Sequence, residues 1–160
     1  MEVTIRNYER RDADGVIDVF YRSVHEVAVS AYTTEQVNAW VPARWDAERE
    51  HRRSGDGRLV LVAVDKTELD QVVAFADLET DGHIDRLFCA PEAAGHGIAS
   101  RLYDTLEAAA REQGIGRLYV EASELARPVF EHKGFTVLER QDNILRGVPV
   151  HNYRMAKTLG

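Results

Sequence analysis

Residues 91–106, PEAAGHGIASRLYDTL, decide how this chain is read. Pro91 closes an apolar run, and Gly95 and Gly97 bracket His96. From Ile98 the apolar residues fall at helical spacing through Ala99, Leu102, Leu106, Ala109 and Ala110, with Gly114 at the exit. A strand therefore passes into a helix through a turn built on two glycines. The first N–H groups of a helix have no internal partner and carry partial positive charge, so glycines there let an anion reach the backbone. The spacing alone leaves three readings. A phosphate loop of the GxxxxGK[ST] type lacks its lysine here. A dinucleotide fingerprint has Ser100 in place of its third glycine and needs parallel strands. A plain turn needs only permissive backbone.

Upstream, RLVLVAVD (58–65), QVVAFADLE (71–79) and HIDRLFCA (83–90) are rich in β-branched and aromatic residues and separated by turn residues. They predict three successive antiparallel strands. Downstream, RLYVEA (117–122) predicts another strand, residues 124–133 a helix stopped by Gly134, and FTVLER with VPVHNYRMAK a closing hairpin. Near the start, VTIR (3–6) alternates like a strand, and Asp12 stands where it would cap a helix carrying Val16, Ile17, Phe20, Tyr21, Val24 and Val27. Residues 30–57 are less regular and predict one or two short helices among Tyr32, Trp40, Pro42 and Trp45. The pattern is a mixed α/β layer structure in a single domain spanning 1–160.

The chain is 44% hydrophobic and 29% charged, the balance of a folded globular protein. Its net charge of -7 argues against general nucleic-acid binding, which needs lysine and arginine on phosphates. Cys89 is the only cysteine, which excludes an intrachain disulfide, a CxxC redox pair and a cysteine zinc cluster. The start lacks the apolar core of a signal peptide, and no long apolar run follows, so a cytoplasmic location without membrane association is expected.

RLFCAPEAAGHGIASRLYDTLEAAAREQG, together with ASELARPVFEHKGF, resembles the paired motifs of the GNAT superfamily of N-acetyltransferases. The resemblance covers residues 83–135 and implies a central, mostly antiparallel twisted sheet of about six or seven strands flanked by about four helices. It implies acetyl-CoA as co-substrate, with no metal. The pyrophosphate would lie on Ala94, Gly95, His96, Gly97, Ile98, Ala99 and Ser100, and the pantetheine arm along Leu87, Phe88 and Cys89. Gly97 and Ala99 match the family's phosphate loop, whereas Ala94 replaces its usual Gln or Arg. Ser123 stands where the family often has Asn, although a serine there can equally cap the next helix. At the family's tyrosine general-acid position this chain has Phe130, beside the cofactor and without a proton to give. Tyr103 or water are the substitutes.

Acetyl transfer to a primary amine needs a neutral nucleophile, a proton acceptor, oxyanion donors and a thiolate that can leave. The resemblance implies Asp85 as general base. By period-two alternation Asp85 shares a sheet face with Cys89 and with His83, a second candidate base. Tyr32, Trp40, Glu79, His151 and Tyr153 are the expected acceptor-binding residues, suited to a small cationic amine or a peptide N-terminus. Cys89 reads as a buried apolar side chain, because no histidine is placed beside it. A homodimer through the C-terminal hairpin fits the family. Two other functions stay open at this stage: a non-catalytic acyl-CoA-binding domain, motivated by Ala94 and Phe130, and an interaction module that binds no nucleotide.

Overall fold

Seven strands form: β1 (Val3–Asn7), β2 (Leu59–Asp65), β3 (Gln71–Leu78), β4 (His83–Cys89), β5 (Arg117–Ala122), β6 (Thr136–Leu145) and β7 (Val148–Thr158). They belong to a computed structural model that describes residues 1–160. The sheet order is β1-β2-β3-β4-β5-β7-β6. Only β4 and β5 pair in parallel; every other neighbouring pair is antiparallel. Five helices accompany the sheet: α1 (Ala13–Arg22), α2 (Thr34–Trp40), α3 (Ala47–Ser54), α4 (Ile98–Glu112) and α5 (Arg127–His132). Two of them, α2 and α3, come from the irregular stretch 30–57. No helix is long and apolar enough to cross a membrane.

Helices cover both faces of the sheet. On one face Ile98, Leu102 and Leu106 of α4 and Phe130 of α5 pack on Ile84 and Leu118. On the other, Val16 and Val19 of α1 pack on Val62, Val64 and Phe75. Because both faces are covered, β2 and β3 are buried almost throughout and read in sequence as continuous apolar runs. Asp12 precedes α1 but makes no side-chain cap bond. Its carboxylate instead accepts from Arg6 at 2.7 and 2.9 Å and from the Glu9 N–H at 2.8 Å, an ion pair that competes successfully with the cap.

α3 has the sequence AEREHRRS, which offers no apolar stripe to bury. Polar bonds dock it. Glu50, fully buried, accepts two hydrogen bonds from Arg86, both at 2.9 Å, and one from Trp45 Nε1 at 3.1 Å. Gly82 fixes the start of β4 against β5. Its φ is +100°, and a Cβ there would lie 2.1 Å from the Arg117 carbonyl oxygen. The Gly82 carbonyl in turn accepts the Tyr119 N–H at 3.1 Å.

Candidate active site

β4 and β5 pair only at His83–Tyr119 and Ile84–Val120, after which they separate. β4 remains bonded to β3 and β5 to β7, so the gap between them is a wedge cut into the sheet. A cavity of about 660 Å³ opens on one side of the wedge and one of about 550 Å³ on the other. Both are lined by Trp40, Leu87, Phe88, Ser123 and Ala126, so they meet at the gap.

The larger cavity ends on the glycine turn. Ala94, Gly95, Gly97, Ile98, Ala99 and Ser100 line it, as does Cys89. Gly95 and Gly97 have φ of +79° and +73°, the left-handed region in which glycine is unstrained. A Cβ at either would meet nothing within 4 Å, so the space beside them is open to a ligand. Gly97 immediately precedes α4, whose first-turn N–H groups face that space. His96 is exposed and does not line the cavity. His132 and Lys133, which the sequence did not single out, face the turn from the end of α5. These residues fit a compact polyanion at one end of an elongated ligand, the shape of acetyl-CoA.

Ser123 does not cap α5, whose N-cap residue is Ala126 with no side-chain cap bond; its Oγ accepts the Ala126 N–H at 3.2 Å within the turn before the helix, and the residue lines both cavities. Cys89 is held among apolar neighbours, and burial pushes its thiol up to about 11, against the pull of the Ala99 N–H. Phe130 is 1% exposed and packs edge-on against Phe135 at 5.0 Å and Tyr103 at 6.1 Å, at the floor of the smaller cavity. Tyr103 lines neither cavity. Burial and its hydrogen bond to Glu107 at 2.7 Å push its phenol far above the ordinary value, so it is no substitute acid.

The alternation expected along β4 fails at Asp85. Asp77 pairs with Arg86 and Leu78 with Ile84, so Asp85 is the extra residue of a β-bulge. Ile84, Leu87 and Cys89 therefore pack toward the α4 core, while Asp85 and Arg86 turn together toward α3. Asp85 does not share a face with Cys89. It lines the smaller cavity, but its Oδ2 is held by Arg53 and, at 2.9 Å, by Arg58. Two guanidiniums therefore already occupy that carboxylate.

His83 and Glu79 stand behind the closed end of the wedge and line neither cavity. His83 stacks on Tyr119 with ring centres 4.7 Å apart and bridges two carboxylates: Nδ1 to Glu79 at 2.7 Å and Nε2 to Glu121 at 2.6 Å. Burial opposes its protonation, but Glu121 and Glu79 outweigh it and raise the imidazole above its ordinary value. Glu121 lines the smaller cavity. Ligand atoms of Glu79, His83 and Asp85 come within 4.8 Å of one another, yet Arg53 and Arg58 already neutralise Asp85, a poor donor set for a cation.

Tyr32, Trp40 and His151 do line the smaller cavity. The Tyr32 hydroxyl donates to the His151 carbonyl and accepts from the Glu124 N–H, both at 2.9 Å, which joins the segment before α2 to β7 and to the turn after β5. Tyr153 does not line the cavity: its hydroxyl donates to Glu124, which also takes His151 Nε2 at 2.7 Å. Those two bonds hold the Glu124 carboxyl below its usual range. Sequence reasoning missed Glu121, Glu124, Arg53, Arg58 and Arg86. Glu121 was findable, because on β5 it alternates with the buried Val120 and Ala122 and so faces away from the core. The arginines were not, because Arg53 and Arg58 reach Asp85 across 32 and 27 residues of chain.

A sequence model of the acetyltransferase (GNAT) domain matches residues 28–157. An uncharacterized N-acetyltransferase of Escherichia coli, YafP, is 30% identical over 153 residues, covering 96% of this chain and 94% of that protein. Among solved structures, a GCN5-related N-acetyltransferase from Rhodopseudomonas palustris superposes with a TM-score of 0.88 at 30% identity, over 99% of this chain and 97% of that one. YncA from Salmonella typhimurium, solved with its cofactor acetyl-CoA, has the same fold at a TM-score of 0.75 and 18% identity, over 100% and 95% of the two chains. The wedge, the glycine turn and the extent of these matches place the chain in the GNAT superfamily of N-acetyltransferases.

Proposed function

We propose that this protein transfers the acetyl group of acetyl-CoA to a primary amine by direct attack within a ternary complex. The observation that carries the reading is the wedge between β4 and β5, which joins a cavity ending on a glycine-framed helix N-terminus to a second cavity under the β6–β7 hairpin. The pyrophosphate lies on the backbone of residues 94–100, and the pantetheine arm follows Leu87 to Cys89 into the gap. The Salmonella relative carries acetyl-CoA on the same fold.

The thioester carbonyl sits at the gap. The Ala90 N–H bonds to the Val73 carbonyl at 2.8 Å, so by backbone alternation Leu87 and Cys89 turn their N–H groups toward the gap, where they serve as oxyanion donors. The amine lone pair attacks the carbonyl carbon, and the tetrahedral adduct collapses with loss of the coenzyme A thiolate. The nitrogen gives its proton to a cavity carboxylate directly or through water. Two carboxylates line that cavity, Asp85 and Glu121. Glu121, backed by His83, passes the proton outward, while Asp85, held by two arginines, orients the amine. A covalent route through Cys89 is disfavoured, because a thiol at about 11 is almost entirely protonated at neutral pH.

The test measures acetyl-CoA binding by thermal shift and free-thiol release over a panel of primary amines. Saturating acetyl-CoA should stabilise the fold by about 2.7 kcal/mol at a hundredfold excess over Kd. Stabilisation with no amine-dependent thiol release would instead make this an acyl-CoA-binding domain, as the proton-poor surroundings of Phe130 would allow. In a working enzyme, Glu121→Gln should lower kcat with little change in KM; an unchanged kcat sinks the proton route.

A further inference from the structure

A third cavity, about 410 Å³, adjoins the acceptor cavity and shares Phe20, Trp40, Arg53 and Arg86 with it. Its charge is opposite to that of the protein as a whole. Arg44, Arg49, Arg53, Arg86 and Arg146 line it with a single carboxylate, Glu50, in a chain whose net charge is -7.

The bonding within this cluster leaves positive charge facing the space. Glu50 is fully buried and wholly engaged by Arg86, Trp45 and Ser54. Arg44 is paired with Asp18. The Arg49 guanidinium has no hydrogen-bonding or ionic partner and lies 5.8 Å over the Trp45 ring. Arg146 sits at the tip of the β6–β7 hairpin and gives one N–H to the Ala39 carbonyl at 2.6 Å, with no carboxylate partner. Arg53 stands between the two cavities, with Asp85 on one side and the arginine cluster on the other. Burial and the neighbouring Arg86 guanidinium pull Arg53 below the ordinary arginine value, the mark of a cation crowded by like charge. A guanidinium presents a planar fork of N–H donors that suits a carboxylate or phosphonate, and Arg49, Arg53 and Arg146 line this one cavity.

We infer that the acceptor is an amine that also bears an oxyanion, with the anion held by Arg49, Arg53 and Arg146 and the amine directed to the wedge. This rests on the acetyl-transfer reading above and turns the sequence expectation of a cationic acceptor around: aromatic walls remain, but arginines frame the far end. The same field favours the neutral amine over its ammonium form, which eases the proton removal that attack requires.

The experiment compares matched acceptors in a free-thiol assay: a length series of ω-amino carboxylates and ω-aminoalkyl phosphonates, the corresponding amino amides, and diamines. The anionic members should show kcat/KM at least about tenfold above the amides, the worth of one charge-assisted hydrogen bond. The carboxylate and phosphonate arms tell which oxyanion is preferred. Arg49→Ala and Arg146→Ala should each collapse the anionic-to-amide ratio mainly through KM, with Arg49→Lys restoring part of it. Arg52→Ala, on the same helix but outside the cavity, is the control and should keep the ratio. Equal or better turnover of amides or diamines overturns the inference while leaving acetyl transfer intact. If no amine is acetylated, the acetyl-transfer reading fails, and the anion site is judged separately. Trp40 and Trp45, the only tryptophans, line the cavity, so glutarate should change their fluorescence saturably in the parent and not in an Arg49→Ala/Arg146→Ala variant. No saturable change in the parent overturns the site.

Discussion

Removing the Glu50 carboxylate tests whether polar bonds, not apolar burial, hold α3 in place. Glu50 is fully buried, Arg86 is 4% exposed, and the two share two hydrogen bonds at 2.9 Å. Glu50→Leu leaves Arg86 with Asp77 alone, at 2.7 Å through Nε, and leaves Trp45 Nε1 without an acceptor. Breaking one side of such a buried pair costs about 3–5 kcal/mol. For a domain of this size that corresponds to a fall of about 10 °C in Tm. Arg86→Met leaves Glu50 unpaired and should cost a similar amount, although Asp77 keeps Arg58 at 3.4 Å. The double variant removes both charges, so it should be less destabilised than the sum of the singles by about 1–3 kcal/mol. The measurement is urea unfolding followed by circular dichroism, with Trp45 fluorescence as a local probe. Because α3 carries Arg49 and Arg53, the acceptor KM should rise in Glu50→Leu before the fold is lost. Additivity of the two single variants within about 0.5 kcal/mol would refute the argument. The pair also has a pH signature. Burial opposes ionisation of Glu50, but Arg86 prevails and holds its carboxyl below the ordinary value. A carboxyl depressed on folding contributes stability above its unfolded value of about 4.3 and loses it as pH falls, so the Glu50→Leu penalty should shrink in acid.

Gly82→Ala places a Cβ 2.1 Å from the Arg117 carbonyl oxygen at a φ of +100°, so it should cost more than about 3 kcal/mol and speed hydrogen exchange of the Tyr119 N–H. Gly55→Ala, whose nearest contacts are 3.5 and 3.7 Å at an ordinary φ, should change stability by less than about 1 kcal/mol; equal effects would contradict the assignment. His83 should titrate above about 6.5 by NMR, because Glu121 and Glu79 favour its cation. A raised imidazole contributes stability that is complete below its unfolded value and fades as pH rises through the folded one, so the stability difference between parent and His83→Gln should narrow from pH 6 to pH 9. A difference constant over that range would discard the ion pair.

The glycine turn, the strands on either side of it and the order of elements were legible because they rest on local rules. Ala94 to Ser100 needed only left-handed backbone and a helix start, and the apolar periods of β2, β3 and α4 are set by burial on covered faces. The residues of the glycine turn follow from that local signal; the ligand expected there and the acceptor residues came from the family resemblance, and of the latter Tyr32, Trp40 and His151 line the smaller cavity while Glu79 and Tyr153 do not. The orientation of β4 did not, because a single bulge at Asp85 shifts every later side chain to the other face, and period-two counting cannot see an inserted residue.

The sequence by itself determined a chain of strands and helices with a two-glycine turn at a helix start, since hydrophobic period and glycine conformation act over a few residues. Tertiary structure alone decided the electrostatics of the site. It brought Glu50, Arg53 and Arg58 to Arg86 and Asp85, docked a helix with no apolar face, and gathered arginines into one wall of an otherwise acidic protein. Charge acts through space between side chains far apart in the chain, and only folding sets those distances.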